Sequence, residues 1–567
     1  MFVIATAGHV DHGKSTLVHR LTGMWPDRLA EEHRRGLTID LGFAWTELDG
    51  RQVAFVDVPG HERFVANMLA GVGPVPAVMF VVAATEGWMP QSSEHLAALD
   101  ALGVRHTLLV ISKADLADPA PAIEQARQRF AATSLADPPI ALGTDLDQVR
   151  AELLTLTARL PQPDRDADVR LWVDRSFTVR GAGTVVTGTL AAGRIRVGDE
   201  LQHAGRRVTV RTLQSLGRER TEVGAVARVA LNLRGVDRQH IGRGNTVRTP
   251  GAWLDTTEID VVLRLADKLH RQLVLHIGSA AVPVQVRQLG TVAARLRLTR
   301  PLPLRVGDVG LLRDPGEHRI AAGIEVLDMR PPPLRRRGAA RARADELATG
   351  SVRPPYCARV EELRAMGLPI TGTGGQRMGN WVVDPQWWAG RRERVTTTVR
   401  RWADEHDIAA GMPLETLRQQ VGLPAAELVP KLLAGTGLEV ADGLVRPPGG
   451  GLPPRVDKAV RTVQERLAAE PFRAPEADEL ADLKLGNREL AAAVRAGRLT
   501  RIADGLVLGP GAFDRAAEIL AALPQPFTVS EARRALGTTR RVAVPLLEQL
   551  DARRITRRGG DGTRTVV

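Results

Sequence analysis

Lysine is scarce in this sequence. Of 77 basic residues only six are lysines, and the other 71 are arginines. In such a composition arginine fills positions that need only positive charge, so a remaining lysine marks a place where a planar guanidinium does not serve. Lys14 and Lys113 are two of the six, and each lies inside a recognisable motif.

Cysteine and long apolar runs are also scarce. Cys357 is the single cysteine among 567 residues, which excludes an internal disulfide and fits a reducing cytoplasm. No run of 18 apolar residues is present, so no membrane span is expected. The opening MFVIATAG is too short for a signal peptide and predicts a buried strand. We expect a cytoplasmic monomer with no membrane partner.

The positive charge is unevenly distributed along the chain. The formal net charge is +12, of which +9 falls on residues 331–567 and +3 on the first 330 residues. A basic C-terminal part favours a polyanionic partner. The alternative is a basic surface that only keeps the protein soluble. The length alone predicts about three to five domains.

A glycine-rich motif follows the first predicted strand. GHVDHGKS matches G-x-x-x-x-G-K-[ST] and leads into a helical pattern, STLVHRLTG, which is the context that a phosphate-binding loop requires. Backbone N–H groups and a helix N-terminus would hold the phosphates, and Lys14 would reach the β- and γ-phosphates. The alternative is a chance glycine-rich turn. The predicted nucleotide-binding residues of this loop are Gly8, His9, Val10, Asp11, His12, Gly13, Lys14, Ser15 and Thr16.

Two further motifs indicate Mg²⁺ and γ-phosphate sensing. In DVPGHERF, Asp57 ends an apolar strand, where it can hold Mg²⁺ through water, and Gly60 can offer its N–H to the γ-phosphate. In RRGLTIDLGF, Thr38 is placed to close over the metal. With the P-loop serine, these residues give the predicted metal set of Ser15, Thr38 and Asp57.

A third apolar strand ends in a motif that predicts guanine recognition. TLLVISKADL contains Ser112-Lys113-Ala114-Asp115, which is similar to N-K-x-D. The carboxylate of Asp115 would accept hydrogen bonds from guanine, and the stem of Lys113 would lie along the base. Ser112 replaces the usual asparagine, which removes one side-chain amide from the base pocket.

Taken together, the motifs GHVDHGKSTL, RGLTID and DVPGHERF resemble translational GTPases of the elongation factor Tu class. The resemblance implies GTP and GDP as ligands, Mg²⁺ as cofactor and hydrolysis on the ribosome. It further implies that Val10 and Leu37 form an apolar gate. His61 would orient the attacking water, so that the predicted catalytic residues are His61, Lys14 and Gly60. The last guanine motif of the class falls near residues 140–144 and is degenerate.

From about residue 169 the sequence predicts short strands and glycine-rich turns. This pattern is typical of β-barrels, and we predict two, at 169–252 and 253–330, after a GTP-binding domain at 1–168. The resemblance implies that they hold the aminoacyl end and the acceptor arm of tRNA. The alternative is that most of their residues form only barrel cores.

The first barrel sequence narrows the resemblance. WVDRSFTVRGAGTVVTGTL and ARVALNLRG are similar to the selenocysteine-specific elongation factors. The resemblance implies an aminoacyl pocket of Asp174, Arg175 and Arg228. Because a selenol is more acidic than a thiol of pKa about 8.5, paired arginines would favour the selenolate over a neutral serine hydroxyl. The alternative is an ion pair between Asp174 and an arginine on a strand face.

The C-terminal third begins with a basic, proline-rich stretch at 330–343, for which we favour a solvated tether. Beyond it, turns recur at residues 379, 442, 504 and 561, each preceded by helical segments. A period near 60 residues predicts one winged helix per repeat. Such a tandem is similar to the C-terminal part of the bacterial selenocysteine factors. The predicted ranges are 331–388 with the tether, 389–449, 450–510 and 511–567.

The last repeat is the most basic. From Arg533 onward it has nine arginines against three acidic residues, and its second helix should begin near Thr538 or Thr539. Such a surface suits RNA phosphates, and the resemblance implies an mRNA hairpin downstream of a UGA codon as its partner. The alternative is a basic surface that binds any nucleic acid. The predicted RNA-binding residues are Arg540, Arg541, Arg557, Arg558 and Arg564.

Three functions remain to be compared. The first is a GTPase that delivers selenocysteyl-tRNA to the ribosome under the guidance of an mRNA hairpin. The second is a nucleotide-gated transcription regulator that uses winged helices on DNA, although the β-barrels argue against it. The third is a general elongation factor with an unusual tail, which leaves the winged helices without a role.

Overall fold

The computed structural model describes all residues except 27–37, 39, 62–64, 74, 182, 265–268, 351, 353–356, 371–373, 407–410, 447–451 and 453. The chain forms two compact units, Met1–Val382 and Val383–Val567. No described helix is long and apolar enough to cross a membrane. Within these two units, the seven predicted domain ranges stay predictions.

The first unit begins with an α/β domain. Its strands are β1 (Phe2–Ala7), β2 (Gly42–Leu48), β3 (Arg51–Asp57), β4 (Ala77–Ala83), β5 (His106–Ser112) and β6 (Ile140–Leu142). They form one sheet in the order β2-β3-β1-β4-β5-β6, in which only β2 is antiparallel to its neighbour. Every residue of β4 is buried, as expected for a strand covered by helices on both faces.

Five described helices accompany this sheet, and they confirm the predicted α/β architecture. They are α1 (Lys14–Thr22), α2 (Val65–Val72), α3 (Pro90–Ala101), α4 (Ala120–Ala131) and α5 (Leu146–Ala158). Apolar clusters fill both sides of the sheet, one around Phe80 and Phe130 and the other around Phe55 and Leu108. The loops that follow β1, β3 and β5 carry the predicted nucleotide-binding motifs.

The second domain consists of short strands, as the sequence predicts. They are β7 (Arg170–Trp172), β8 (Arg175–Val179), β9 (Gly183–Leu190), β10 (Arg194–Arg196), β11 (Glu200–His203), β12 (Arg206–Ser215), β13 (Arg218–Arg220), β14 (Glu222–Gly224), β15 (Ala227–Arg234) and β16 (Thr246–Arg248). Eight of these strands form one sheet, while β10 pairs with β14. Their inward side chains build a separate apolar core.

The third domain is a closed six-stranded barrel. Its strands are β17 (Leu254–Arg264), β18 (Gln272–Ile277), β19 (Ala280–Leu289), β20 (Ala293–Leu304), β21 (Val309–Asp314) and β22 (Arg319–Asp328). They close in the order β17-β20-β19-β18-β21-β22. Along β19 buried and exposed residues alternate for eight positions, as expected for a strand with one face on the core and the other in solvent.

The stretch after the third domain is packed against the barrel. Helix α6 (Ala339–Leu347) places Leu347 in an apolar cluster with Leu289 of the barrel. Arg343, with only 5% of its side chain exposed, pairs with the fully buried Asp260 at 2.7 Å. Residues 335–338 are exposed, as a solvated tether at 330–343 predicts. The prediction is wrong for residues 339–343, because a buried arginine and an apolar helix face fix this part to the barrel.

The first unit ends in a small α+β region. It contains β23 (Cys357–Arg359), α7 (Val360–Ala365), β24 (Gln376–Met378) and β25 (Trp381–Val383). The three strands form one sheet in the order β23-β25-β24. The first predicted turn, at residue 379, thus joins two paired strands.

The second unit repeats a pattern of three helices followed by a hairpin. The first set is α8 (Pro385–Glu405), α9 (Leu414–Val421), α10 (Val429–Leu433), β27 (Glu439–Ala441) and β28 (Leu444–Arg446), with β26 (Met412–Pro413) added to the sheet. The second set is α11 (Pro454–Ala469), α12 (Ala477–Asp482), α13 (Asn487–Arg495), β29 (Thr500–Ala503) and β30 (Leu506–Leu508). The third set is α14 (Ala512–Ala521), α15 (Val529–Ala535), α16 (Arg540–Ala552), β31 (Thr556–Arg558) and β32 (Arg564–Val566).

The last two sets share one apolar core, which runs from Val456 to Leu550. Thr538, at the turn before α16, donates a hydrogen bond to the carbonyl of Phe472. Residues 454–566 therefore pack as one body of two winged-helix repeats. A winged-helix part at the C-terminus is confirmed, while the total of four such domains stays a prediction.

Candidate functional site

The P-loop connects β1 to α1 as the motif requires. Gly8 has a φ of +126°, and a Cβ there would lie 2.2 Å from the carbonyl oxygen of Val81, so only glycine fits. Gly13, at φ +80°, precedes the first turn of α1. The buried Lys14 ammonium donates to the carbonyls of Gly8 at 3.1 Å and His9 at 2.6 Å. The loop thus wraps around the Lys14 ammonium and leads directly into the N-terminus of α1.

The predicted metal ligands lie together. The Ser15 hydroxyl donates to Asp57 at 2.6 Å and lies 3.0 Å from the hydroxyl of Thr38. Thr6 fixes the other carboxylate oxygen of Asp57 at 2.7 Å. Two hydroxyls and a carboxylate converge here, and oxygen ligands of this kind are what Mg²⁺ prefers. Thr16 follows in α1 with an exposed side chain.

Gly60 lies directly beside the lysine. A Cβ on Gly60 would lie 2.5 Å from the amide nitrogen of Val10 and 2.6 Å from the Lys14 ammonium nitrogen. Glycine is therefore required for the segment after β3 to approach the phosphate loop this closely. His61 comes next and is half-buried. Leu37, the proposed gate partner of Val10, lies outside the described residues.

The loop after β5 is tied to the P-loop by the unusual serine. The Ser112 hydroxyl donates to the carbonyl of His12 at 2.7 Å, so the substitution retains a link between the two loops. Lys113, at φ +53°, pairs with Glu86 at 3.0 Å, and the side chain of Asp115 is exposed. Gly143, within the degenerate last motif, donates its N–H to the carbonyl of Ile111 at 2.7 Å.

Buried histidines support the P-loop from below, and sequence reasoning missed one of them. His95 of α3 accepts the N–H of Gly8 at 3.0 Å, and burial lowers its pKa to about 3. His12 is fully buried 3.3 Å from Glu86, and burial lowers its pKa to about 4. Both rings are neutral near pH 7. In the sequence, His95 lies in the helical stretch EHLAAL, which contains no motif that indicates contact with the P-loop.

The predicted aminoacyl pocket brings its residues together through ion pairs. Arg228 binds both carboxylate oxygens of Asp174, one of them at 2.7 Å, so the strand-face ion pair of the alternative interpretation is present. Its guanidinium lies 3.8 Å from the ring centroid of Phe43. Arg175 turns toward Asp40 instead, at 2.8 Å, and toward the carbonyl of Leu41.

A cavity of about 310 Å³ lies between β2 and the second domain, and Phe43, Arg175, Thr187 and Arg228 contribute to its walls. Arg175 also lies over the Phe43 ring, 5.3 Å from its centroid, so two guanidiniums supported by one aromatic ring line the cavity and can hold a small anionic group. Asp40 and Phe43 were not predicted as part of this region. Both residues follow Thr38 closely in the chain, and this proximity was the sequence signal that could have identified them.

The outer face of the third domain carries a basic groove that was also missed. Its volume is about 680 Å³, and Glu258 is the one acidic side chain among its described lining residues. Four exposed arginines line it and make no ion pair with any residue that the structure describes: Arg271, Arg287, Arg297 and Arg335. Arg287 and Arg297 lie on two strands, Arg271 directly precedes a third strand, and Arg335 lies in the segment before α6. Only the folded barrel brings them together. An unneutralised cluster of this kind suits a phosphodiester backbone.

The last winged helix presents only part of the predicted arginine set. Helix α16 begins at Arg540 with Thr539 as its N-cap residue, although the Thr539 side chain makes no capping bond. Arg540 is exposed, whereas Arg541 pairs with Glu476 at 2.9 Å. Leu546, Leu547 and Leu550 are fully buried.

The wing corrects the remaining predictions. Arg564 is buried, with 4% of its side chain exposed, and pairs with Asp551 at 2.8 Å, so it is not presented to a ligand. Its placement among the RNA-binding residues is wrong, because its charge is needed to neutralise a helix carboxylate. Arg557 and Arg558 are both exposed, and as successive strand residues they point to opposite faces of the hairpin.

Comparisons with known proteins point to one class. The family model of the elongation factor Tu GTP-binding domain matches residues 1–238, and that of the elongation factor SelB winged helix matches residues 518–565. The selenocysteine-specific elongation factor of Escherichia coli (strain K12) is 35% identical over 452 residues, which cover 74% of this chain and 73% of that protein. Its counterpart in Haemophilus influenzae is 30% identical over 460 residues, 75% of this chain and 74% of that protein.

Solved structures agree. The crystal structure of bacterial selenocysteine-specific elongation factor EF-Sec matches with a TM-score of 0.75 and 25% identity, and the match covers 100% of this chain and 99% of that one. Elongation factor SelB from Methanococcus maripaludis, solved with a GTP analogue, has a TM-score of 0.51 at 24% identity, over 58% of this chain and 79% of that one. The latter likeness extends to the fold alone.

Proposed function

Because this chain belongs to the selenocysteine-specific elongation factor family, we propose that it binds selenocysteyl-tRNA together with GTP and delivers it to ribosomes at UGA codons marked by an mRNA hairpin. Its elongation factor Tu-type domain binds GTP and GDP, and the chain is a GTPase. A general elongation factor would leave the winged helices without a role, and a DNA-binding regulator would leave the β-barrels without one. A protein that acts on translating ribosomes would be located in the cytoplasm.

The nucleotide site supports the first step, which is GTP binding. The P-loop amides, the N-terminus of α1 and Lys14 would hold the phosphates. Ser15, Thr38 and Asp57 would hold Mg²⁺, which when bound neutralises charge on the β- and γ-phosphates. Asp115 would accept hydrogen bonds from the guanine base, and His61 would orient water for hydrolysis on the ribosome.

The second step, selection of the aminoacyl group, would use the arginines around the 310 Å³ cavity. The observation that carries this proposal is the position of Arg228, which is held by Asp174 and stacked on Phe43 while it faces this cavity. A selenolate is negatively charged near neutral pH, whereas the seryl hydroxyl is not. The guanidinium would therefore attract the correct aminoacyl group and gain little from the seryl precursor.

The arm of the tRNA would lie along the third domain. Its groove contains four arginines that make no ion pair with any residue the structure describes, and it offers a positive surface without base-specific features. Phosphate contacts of this kind supply affinity that falls with salt and does not depend on sequence. The hairpin would bind the last winged helix, where Arg540 is exposed at the start of α16.

A protection assay tests the proposal. The ester bond of selenocysteyl-tRNA, seryl-tRNA and cysteinyl-tRNA would be followed during hydrolysis with the protein and either GTP or GDP. We expect protection of the selenocysteyl form with GTP, and little protection of the other two. Arg228→Ala should reduce protection of the selenocysteyl form more than of the seryl form. Equal protection of all three tRNAs would contradict selenocysteine selection.

A further inference from the structure

Asp40 holds two arginines of the second domain at once. One carboxylate oxygen accepts from the Nε of Arg175 at 2.8 Å, and the other accepts from a terminal nitrogen of Arg243 at 2.5 Å. The Asp40 side chain is only 24% exposed. Its segment belongs to the GTP-binding domain, whereas both arginines belong to the β domain that follows.

The same segment reaches the metal site two residues earlier. Thr38 places its hydroxyl 3.0 Å from that of Ser15, which donates to Asp57. Two residues of chain span at most about 7 Å, so the position of Thr38 limits where the Asp40 carboxylate can lie. Whatever fixes Thr38 at the metal site also brings Asp40 within reach of the second domain.

The charges around the adjacent cavity show what Asp40 contributes. This cavity, of about 630 Å³, is lined by Asp40, Asp174, Arg175 and Arg243 among others. The carboxylate of Asp174 is engaged by Arg228. Arg243 contacts Asp174 at its carbonyl, at 2.9 Å, and also donates to the side-chain oxygen of Asn67. Without Asp40, Arg175 and Arg243 would face each other with no carboxylate to orient them. With it, and with Arg238 also lining the cavity, four arginines stand against two carboxylates and leave surplus positive charge for an anion.

We propose that Asp40 is a positioning residue that couples the metal and γ-phosphate site to the aminoacyl pocket: with Thr38 held at Ser15, Asp40 orients Arg175 and Arg243 to receive the anionic aminoacyl end of the tRNA. The coupling rests on the proposed function for its ligand. It makes pocket geometry depend on the nucleotide through two residues of backbone, with no change in the pocket arginines themselves.

The variant Asp40→Asn tests this coupling, with Glu47→Gln as control. Glu47 is an exposed acidic residue on the nearby β2, so the control removes the same charge from the same domain. The dissociation constant of selenocysteyl-tRNA is measured with a non-hydrolysable GTP analogue and with GDP. We expect Asp40→Asn to weaken binding about tenfold with the GTP analogue and to leave binding with GDP unchanged. The control should change neither constant.

Two results would overturn the proposal. An equal loss in both nucleotide states shows a structural role without coupling. A gain in affinity shows that Asp40 competes with the tRNA for the arginines. Affinity for a fluorescent GTP analogue, measured on the same samples, shows whether the nucleotide site of the variant is intact. A variant that binds neither nucleotide is replaced by Asp40→Glu, which keeps the charge and should keep the dependence on GTP.

A second measurement does not need tRNA, so it separates this coupling from the proposed function. Arginine modification by phenylglyoxal is followed by mass spectrometry of the full-length protein. Arg175 and Arg243 should react slowly with the GTP analogue bound and faster with GDP, and Asp40→Asn should make both reactions fast. Nucleotide-dependent modification without tRNA binding would refute the proposed function alone. Equal rates in both nucleotide states of the native protein would refute the coupling.

Discussion

The phosphate loop and the last winged helix are both sites for anions, but they hold their positive charge in different ways. The loop buries one lysine between two backbone carbonyls and surrounds it with glycines that nothing else can replace. The winged helix spreads arginines over a surface. Four of the five predicted arginines are exposed, one of these four pairs with a neighbouring repeat, and the fifth is buried against its own helix. In the phosphate loop, the backbone conformation determines what each residue does. In the winged helix, the ion-pair partners of each arginine determine whether it is available to a ligand.

The largest effect is expected at His61, beside the phosphate loop. His61→Ala should lower ribosome-stimulated GTP hydrolysis by roughly 100-fold or more, because an oriented general acid or base is worth about that factor. GTP binding should persist, since the phosphate contacts do not involve this side chain. Single-turnover hydrolysis with and without ribosomes measures the change. A parallel loss of GTP affinity would make His61 a structural residue and would weaken the contrast with the winged helix.

The next largest effect is expected from acid, which should lower the stability of the phosphate-loop region but not that of the last winged helix. Buried His95 and His12 have pKa values of about 3 and 4 in the folded protein, below the ordinary value near 6.5. His95 faces Lys14 and His9, while His12 faces Lys14, His9 and Glu86. The unfolded state therefore takes up protons first, so stability is complete above about pH 6.5 and falls as the pH drops toward 4.

The loss should approach about 1 kcal/mol per pH unit for each histidine. The last two winged-helix repeats contain no histidine, so they should keep their stability across this range. Hydrogen exchange of the intact protein between pH 6.5 and 5, corrected for intrinsic rates, reports both regions in one experiment. Equal changes in the P-loop helix and in α16 would show that the buried histidines do not control acid stability.

Lys14 offers the third test, since its surroundings leave no room for a guanidinium. Lys14→Arg should weaken GTP binding by about 10- to 100-fold, as expected for loss of a charge-assisted hydrogen bond. Lys458→Arg is the matched control, because Lys458 is exposed on α11 and needs only charge. Equilibrium titration with a fluorescent GTP analogue gives both constants. Unchanged affinity in Lys14→Arg would remove the distinction between buried and surface positive charge.

The same contrast explains what could be predicted from the sequence. The α/β domain, the metal ligands and the three nucleotide loops follow from motifs whose glycines and polar residues have fixed backbone roles. The α6 region could not be predicted, because a basic, proline-rich stretch gives no sign that Arg343 will meet Asp260 some 83 positions earlier. The groove of Arg271, Arg287, Arg297 and Arg335 was missed for the same reason, since it exists only after the barrel closes.

Two arginines of the last winged helix sharpen the comparison within one surface. Arg564→Ala leaves Asp551 without its buried partner and should lower the free energy of unfolding by about 2 kcal/mol, which thermal unfolding measures. Arg540→Ala should leave stability unchanged and reduce the salt dependence of hairpin binding by about one unit. A stability loss in Arg540→Ala, or a reduced salt slope with native stability in Arg564→Ala, would reverse the assignment made from burial.

The smallest effect is expected at Ser112, which tests whether a single buried side-chain hydrogen bond can hold a loop as backbone contacts do. Its hydroxyl joins the guanine loop to the carbonyl of His12 through one neutral hydrogen bond of 2.7 Å. Ser112→Ala removes this bond and should weaken GTP and GDP binding by about fivefold, which corresponds to about 1 kcal/mol. Ser112→Asn restores a side-chain amide and should bind guanine nucleotides at least as tightly as the native protein. If the alanine variant binds both nucleotides as tightly as the native chain, the link between the loops is maintained by Lys113 and Glu86 alone, and the serine is an unconstrained position.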